Sequence, residues 1–249
     1  MELAERLIIG ADYDPRDFDH PSKAIDEVIN LAKSVKGSGV TIKVNSALRF
    51  QGSFLIHSIE DQNLGVMADY KLDDIKRTME LDAAFLRHNP PRILTVKCTA
   101  GEKGMHAVQE TLRDLDTKVA GVTVLTSMDD ETVRRMWAFD TWGMVRKYAK
   151  EAQRAGLKYL VAAPTDMPIF KRFPELNTFR YITPGIRPEW TLVDGDDQTR
   201  VMTPKDAIVA GADYLVIGRP IIQAKDRKDA IKRTLDEIEE GLEARKKAA

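Results

Sequence analysis

Four charged residues follow the apolar start of residues 65–75, which read GVMADYKLDDI. Asp69 and Lys71 lie two positions apart, and Asp73 and Asp74 follow in the next turn. Because side chains alternate between the two faces of a β-strand, Asp69 and Lys71 share one face. A carboxylate beside an ammonium group at a strand end can stabilise charge that develops in a reacting molecule. The alternative is a structural ion pair that only closes the end of the strand.

The two later aspartates have a simpler possible use. An aspartate in the turn after a strand is commonly the N-cap of the next helix, where its carboxylate accepts a backbone N–H. We expect Asp73 to be this cap, which leaves Asp74 beyond the strand and available to the site.

The elements that must position these residues alternate along the chain. Short β-branched runs are separated by amphipathic, charge-rich segments, as in βα units around a parallel sheet. The strand-like runs cover residues 6–12, 40–46, 65–71, 93–98, 119–126, 159–164, 180–185 and 214–219. Eight such runs in 249 residues predict an α/β fold, a closed (β/α)8 TIM barrel that forms a single domain over residues 1–249. An open doubly wound sheet is disfavoured because the first run ends IIGADYDP, without a glycine-rich phosphate fingerprint.

Composition narrows the class of protein. The net charge is −1, from 38 basic and 39 acidic residues, so no strong field attracts nucleic acid or an anionic membrane. No apolar run approaches the roughly 20 residues that span a bilayer, and the N-terminus turns charged too early for a signal peptide. The single cysteine, Cys98, suits a reducing compartment. We expect a cytoplasmic protein that binds neither nucleic acid nor membrane, and the four histidines show no metal-ligand spacing.

The stretch DYKLDDI resembles the Asp-x-Lys-x-x-Asp-Ile signature of the orotidine 5′-monophosphate decarboxylase family, whose members complete UMP synthesis. Asp74, Ile75 and Thr78 fall on positions of that signature. Five further stretches stand in the family's order and span nearly the whole chain: GAD (10–12), IKVNSAL (42–48), VLTSM (124–128), TPGIRP (183–188) and VIGRPI (216–221).

Two alternatives share part of this pattern. Related barrels, the 3-keto-gulonate-phosphate decarboxylases and hexulose-phosphate synthases, carry a similar Asp-x-Lys-x-x-Asp stretch and use Mg²⁺. A Lys71 interleaved among the carboxylates argues against a cation there. The other alternative is a non-catalytic barrel that binds a nucleotide through its phosphate.

The resemblance implies decarboxylation of orotidine 5′-monophosphate without cofactor or metal. Lys71 would protonate C6 of the pyrimidine, and Asp69 would lie beside the departing carboxylate. The catalytic residues Lys43, Asp69, Lys71 and Asp74 would alternate in charge, so that each has neighbours of opposite sign. The resemblance also implies a homodimer in which Asp74, Ile75 and Thr78 reach the neighbouring subunit's site.

The remaining substrate contacts follow from the same resemblance. Asp12 and Lys43 would hydrogen-bond the ribose hydroxyls, and Ser127 would read the pyrimidine edge. The phosphate is expected after the seventh and eighth strands, as in many barrels, at the residues Pro184, Gly185, Gly218 and Arg219.

A mobile loop at about residues 187–202 is expected to close over the phosphate. Many members carry a glutamine just after the PG turn, but this chain has Glu189 near that position, so Gln198 or Arg200 would replace it. Trp190 lies in the same loop and would touch or shield the ligand. A second departure is Lys97, where many relatives carry histidine or a small polar residue; we expect it to be solvated or to pack in the barrel.

Overall fold

Eight parallel strands close into a barrel in which each strand pairs with the next and β8 pairs with β1. The computed structural model describes residues 1–191 and 202–248. The strands are β1 Leu7–Gly10, β2 Thr41–Val44, β3 Gly65–Leu72, β4 Ile93–Lys97, β5 Lys118–Val122, β6 Tyr159–Val161, β7 Arg180–Pro184 and β8 Tyr214–Ile217. The predicted (β/α)8 barrel and its eight strands are therefore confirmed.

Helices follow the strands and cover the outside of the barrel. They are α1 Ser22–Ser34, α2 Ser46–Gln51, α3 Phe54–Glu60, α4 Lys76–Leu86, α5 Gly101–Thr111, α6 Asp130–Trp137, α7 Thr141–Arg154, α8 Met167–Arg172, α9 Pro204–Ala210, α10 Arg219–Ile222 and α11 Arg227–Lys247. None of them, within these described ranges, is long and apolar enough to cross a membrane.

Residues 130–154 form two helices, α6 and α7, which are separated for a local reason. Ala138 adopts a left-handed conformation, with φ +57°, and its N–H donates to the Arg134 carbonyl, which ends α6. Asp140 then caps α7, because its carboxylate accepts the Gly143 N–H.

The core has two layers, as alternation along the strands requires. One small cluster fills the inside of the barrel: Ile8, Met67, Ile93, Ala120, Ile182, Tyr214 and Val216. The opposite strand faces pack with the helices in a larger cluster. Met67 belongs to the inner layer, so the next inward position of β3, Asp69, lies directly above the apolar floor at the carboxyl end of the barrel.

Candidate active site

A cavity of about 300 Å³ opens at the carboxyl ends of the strands. Its lining is Gly10, Asp12, Lys43, Met67, Asp69, Lys71, Val122, Val124, Leu125, Thr126, Val161, Ala162, Pro184, Gly185, Val216 and Gly218. A larger cleft of about 560 Å³ lies at the amino-terminal ends of β7 and β8, beside Arg180 and Asp213. Because barrels build their active sites from the carboxyl ends of the strands, we assign the smaller cavity as the candidate site.

Four charged side chains alternate in sign across this cavity. Lys71 Nζ lies 2.5 Å from Asp69 Oδ2, and Lys43 Nζ lies 3.8 Å from the same oxygen. Lys43 Nζ also donates to both carboxylate oxygens of Asp12, at 2.8 Å each. Each carboxylate therefore has an ammonium neighbour, and Asp69 has two.

The protonation state of Asp69 depends on the balance between its burial and the charges around it. Burial by itself would raise the pKa of this carboxyl, but the charges of Lys43 and Lys71 and hydrogen bonds from Lys71 and Thr95 outweigh burial. The pKa of Asp69 consequently lies below its ordinary value. Asp69 is therefore held as a carboxylate although its side chain is buried.

A β-bulge brings Lys71 to this position. The register between β3 and β4 shifts between Ala68 and Leu72. Within the bulge Lys71 has a φ of +51°, in the left-handed region that non-glycine residues seldom occupy. Its backbone N–H donates to Thr95 Oγ1 at 2.9 Å, in place of a strand partner.

A second polar network reaches Asp69 from α2. Asn45 Nδ2 donates to Asp69 Oδ2 at 3.3 Å. Arg49 orients this amide, because its Nη1 donates to Asn45 Oδ1 at 2.9 Å and its Nη2 donates to the Tyr70 carbonyl at 2.6 Å. Sequence reasoning missed both residues; the available signal was their i, i+4 spacing directly after β2.

Asp74 and Ile75 lie in the turn after β3, and Thr78 lies in the first turn of α4. Asp74 is exposed and its carboxylate accepts the Ile75 N–H at 2.6 Å. Ile75 is 71% exposed, and Thr78 is half-buried in α4. None of the three lines the cavity formed by the described residues of this chain.

The expectation that Asp73 caps the next helix is wrong. Helix α4 begins at Lys76, the residue before it is Ile75, and no side chain caps it. The Asp73 carboxylate instead accepts the Thr99 hydroxyl at 2.7 Å and lies 3.1 Å from Lys97 Nζ. Lys97 is thus a half-buried ion-pair partner at the end of β4. A charged partner on the neighbouring strand has displaced the local capping interaction.

The loop after β5 places three residues in the cavity wall, Val124, Leu125 and Thr126. Ser127, the residue predicted from the sequence, is exposed and does not line the cavity. Thr126 is the hydroxyl that sequence reasoning missed, one position from the predicted residue.

The ends of β7 and β8 form the remaining wall. Pro184, Gly185 and Gly218 line the cavity, and Gly185 has a φ of +79° that favours glycine. Arg219 follows Gly218 and lines a separate cleft of about 340 Å³ together with Arg187. Two guanidinium groups in one cleft suit an anion such as a phosphate. Sequence reasoning named Arg219 but missed Arg187.

The predicted loop at 187–202 is described only at its two ends. The Arg187 N–H donates to the Met202 carbonyl at 3.1 Å, which fixes where the loop leaves and returns. The Glu189 N–H donates to the Glu237 carboxylate at 3.1 Å, and the Trp190 ring lies 4.9 Å from the Arg233 guanidinium. Gln198 and Arg200 lie outside the described residues. Across residues 1–191 and 202–248, no three His, Cys, Asp or Glu side chains are grouped to hold a metal ion.

Comparisons with known proteins point in one direction. Residues 5–234 match the orotidine 5′-phosphate decarboxylase / HUMPS family. The orotidine 5′-phosphate decarboxylase of Heliobacterium modesticaldum is 33% identical, over 98% of this chain and 100% of that protein. The enzyme of the same name from Dictyoglomus thermophilum is 32% identical, over 94% of this chain and 98% of that protein. The solved orotidine 5′-phosphate decarboxylase of Lactobacillus acidophilus superposes with a TM-score of 0.75, at 24% identity over 94% of this chain and 99% of that one.

Proposed function

Because the chain belongs to the orotidine 5′-phosphate decarboxylase / HUMPS family, we propose that it converts orotidine 5′-monophosphate to UMP and CO2 in pyrimidine biosynthesis. The observation that carries the proposal is the pair of ammonium groups, Lys43 and Lys71, that flank the Asp69 carboxylate at the floor of the cavity. Such an array suits a reaction whose main difficulty is a developing negative charge on carbon.

The proposed chemistry uses this chain's own residues. The bond between C6 and the carboxylate breaks, CO2 leaves, and the electron pair remains on C6. Lys71 stabilises this carbanion and then donates a proton, so that an N–H bond breaks and a C6–H bond forms. Asp69 repels the substrate carboxylate by about 4 kcal/mol if the two charges are ~4 Å apart in an effective dielectric of about 20. Departure of neutral CO2 relieves this repulsion.

The substrate contacts are proposed from the places of the residues. Asp12 and Lys43 would hold the ribose hydroxyls, and the 125–127 turn would face the pyrimidine, with Thr126 in the cavity wall and Ser127 beside it. The backbone of Gly185 and Gly218 would approach the phosphate, in a wall that also contains Pro184. Arg187 and Arg219, which share a cleft, would pair with its oxygens, and Gln198 would join them from the loop.

An exposed apolar surface supports a homodimer. Phe50, Phe54, Ile75 and Phe85 are between 61% and 75% exposed. Phe85 lines a recess of about 240 Å³ that also involves Ser53, next to Phe54 in the chain. A contiguous apolar patch on a protein surface commonly marks an interface. Since Ile75 belongs to the turn that carries Asp74, we propose that this surface meets a second copy and that Asp74, Ile75 and Thr78 complete the partner's site.

An orotidylate assay tests the activity. Purified protein is expected to convert orotidine 5′-monophosphate to UMP, followed as loss of the substrate's ultraviolet absorbance, and to remain active in excess EDTA. Absence of turnover by folded protein would refute the proposal. Activity on a 3-keto-gulonate or hexulose phosphate that EDTA abolishes would favour the Mg²⁺-dependent relatives instead. UMP binding without turnover would favour a non-catalytic nucleotide-binding barrel.

A mixing experiment tests the shared site. Lys71→Ala and Asp74→Ala chains are each expected to be inactive, whereas a mixed dimer contains one site in which both residues are intact. Random exchange of equal amounts should restore about a quarter of the wild-type sites. No recovery, although mass spectrometry shows mixed dimers, would contradict a site completed by the partner.

A further inference from the structure

We propose that Thr95 is a positioning residue of this site, whose single hydroxyl fixes Asp69 and Lys71 relative to one another. Thr95 lies on β4 and does not line the cavity. Its expected effect on kcat rests on the proposed function, whereas its contacts with Asp69 and Lys71 are those of the described residues.

The Thr95 hydroxyl is used in both directions. Thr95 is fully buried, and its Oγ1 donates to Asp69 Oδ1 at 2.9 Å. The same oxygen accepts the backbone N–H of Lys71, also at 2.9 Å. Thr95, on the neighbouring strand, therefore contacts both Asp69 and Lys71. It hydrogen-bonds the carboxylate of Asp69 and the backbone of Lys71.

The bond to Lys71 holds an unusual backbone conformation. The β3–β4 ladder is interrupted between Ala68 and Leu72, so the Lys71 N–H lacks the regular strand partner. A buried N–H without an acceptor is unfavourable, and the left-handed φ of +51° at Lys71 is itself strained for a residue with a Cβ. By accepting this N–H, Thr95 stabilises the bulge that directs Lys71 Nζ to Asp69.

The bond to Asp69 leaves the other carboxylate oxygen for the lysine. Oδ1 is occupied by Thr95, whereas Oδ2 receives Lys71 Nζ and Asn45 Nδ2. The carboxylate is thus anchored on both oxygens and cannot rotate about its Cβ–Cγ bond without losing a donor. Thr95 also donates to the ionised form of Asp69, which favours the charge that the site requires.

Three variants separate positioning from packing. Thr95→Val removes the hydroxyl and keeps the branched shape, whereas Thr95→Ser keeps the hydroxyl. The matched control is Thr183→Val on β7, because Thr183 is also fully buried and its hydroxyl has no hydrogen-bond partner within residues 1–191 and 202–248. Thr95→Val is expected to lower kcat for orotidine 5′-monophosphate by roughly 10- to 100-fold, with KM changed less than about threefold, since the loss concerns groups at the reacting carbon. Thr95→Ser and Thr183→Val should keep kcat within about threefold of the wild type.

A readout without turnover completes the test. The titration of the Asp69 carboxyl, followed by ¹³C NMR of labelled aspartate and assigned with Asp69→Asn, should move to higher pH in Thr95→Val and remain in place in Thr183→Val. If the wild type does not turn over orotidylate, the proposed function fails, and this titration still decides the role of Thr95.

Two results would overturn the inference: an Asp69 titration unchanged by Thr95→Val, or an equal loss of kcat in Thr183→Val. If Thr95→Val does not fold, Thr95→Cys replaces it, because a thiol is only a weak donor and acceptor. The same shift of the Asp69 titration and the same loss of kcat are then expected.

Discussion

Two buried aspartates near the carboxyl ends of barrel strands differ in whether cationic side chains lie beside them in the described structure. Asp69 lies in the carboxyl-terminal half of β3 and is 6% exposed, and Asp166 follows β6 and is 4% exposed. The pKa of Asp69 is lowered, because two ammonium groups and several hydrogen bonds outweigh its burial. Burial raises the pKa of Asp166 to about 6. Within residues 1–191 and 202–248, its carboxylate accepts one hydrogen bond, from the Ala163 N–H at 3.0 Å, which lowers the pKa but does not offset the burial.

The difference shows that depth in the barrel does not by itself make a charged site. A buried carboxyl with no cation paired to it has a raised pKa, and Asp166, which has no salt bridge to any of the described residues, is an example. Lys43 and Lys71 reverse that tendency at Asp69, and these three side chains are the centre of the candidate site. The array of Lys43, Asp69 and Lys71, rather than a buried carboxylate alone, distinguishes the cavity from the turn that contains Asp166.

The strongest test of this comparison removes one cation. Lys71→Met should lower kcat by at least roughly 10³-fold, because it removes both the stabilising charge and the proton donor. It should also raise the pKa of Asp69, so that Asp69 comes to resemble Asp166. Turnover is measured with orotidine 5′-monophosphate, and the titration by ¹³C NMR of the labelled carboxyl.

Lys97→Met provides the matched control for that variant. It removes a lysine from the neighbouring strand end, but Lys97 pairs with Asp73 and does not line the cavity. Its kcat should stay within about threefold of the wild type. Near-normal turnover by Lys71→Met, or an equal loss in both variants, would contradict the proposed mechanism.

Asp166 should make the protein less stable as the pH rises. Between about pH 4, where the unfolded chain loses this proton, and about pH 6, the folded state alone holds it. The free energy of unfolding should therefore fall over that interval by up to about 3 kcal/mol from this group, and the penalty persists above it. Asp166→Asn should remove this part of the pH dependence in urea unfolding at pH 4.5, 6 and 8.

Asp69 supplies the contrast, with the opposite sign. Because its pKa is lowered on folding, its contribution to stability is present above about pH 4 and is lost as the pH falls through the folded pKa. Asp69→Asn should remove a stabilisation at neutral pH that Asp166→Asn does not. An unchanged pH profile in Asp166→Asn would show that Asp166 is not the protonated group.

The barrel could be predicted from the sequence because its strands and helices have recognisable local hydrophobic patterns. Apolar β-branched runs and amphipathic segments alternate eight times, and closure follows from that count. The charged cluster at Asp69 and Lys71 was visible for the same reason. Alternation along β3 predicted that both share one face without knowledge of any other strand, although in the structure a bulge directs Lys71 to Asp69.

Local sequence patterns did not predict the contacts between side chains on different strands. The bulge at Lys71 depends on Thr95, which lies 24 positions further along the chain. The role of Asp73 was misjudged because Lys97 and Thr99, from the end of β4, compete with the helix for its carboxylate. Arg187 and Thr126 were missed because neither is part of a local sequence motif that indicates an anion or pyrimidine contact. Their proximity to the candidate site follows only from the tertiary fold, which brings the strand ends together.

The smallest expected effect is a change in stability in Asp73→Asn. It distinguishes an ion pair with Lys97 from a helix cap as the role of Asp73. Asparagine caps a helix as well as aspartate does, so a cap predicts no loss of stability in Asp73→Asn. An ion pair predicts a loss below about 1 kcal/mol, because both side chains are about a third exposed and the solvent screens them. That loss should vanish in a Lys97→Met background, where the pairing charge is already absent. Urea unfolding of the two single variants and the double variant measures this coupling, and equal losses in both backgrounds would rule out the ion pair as the reason Asp73 is held at the end of β3.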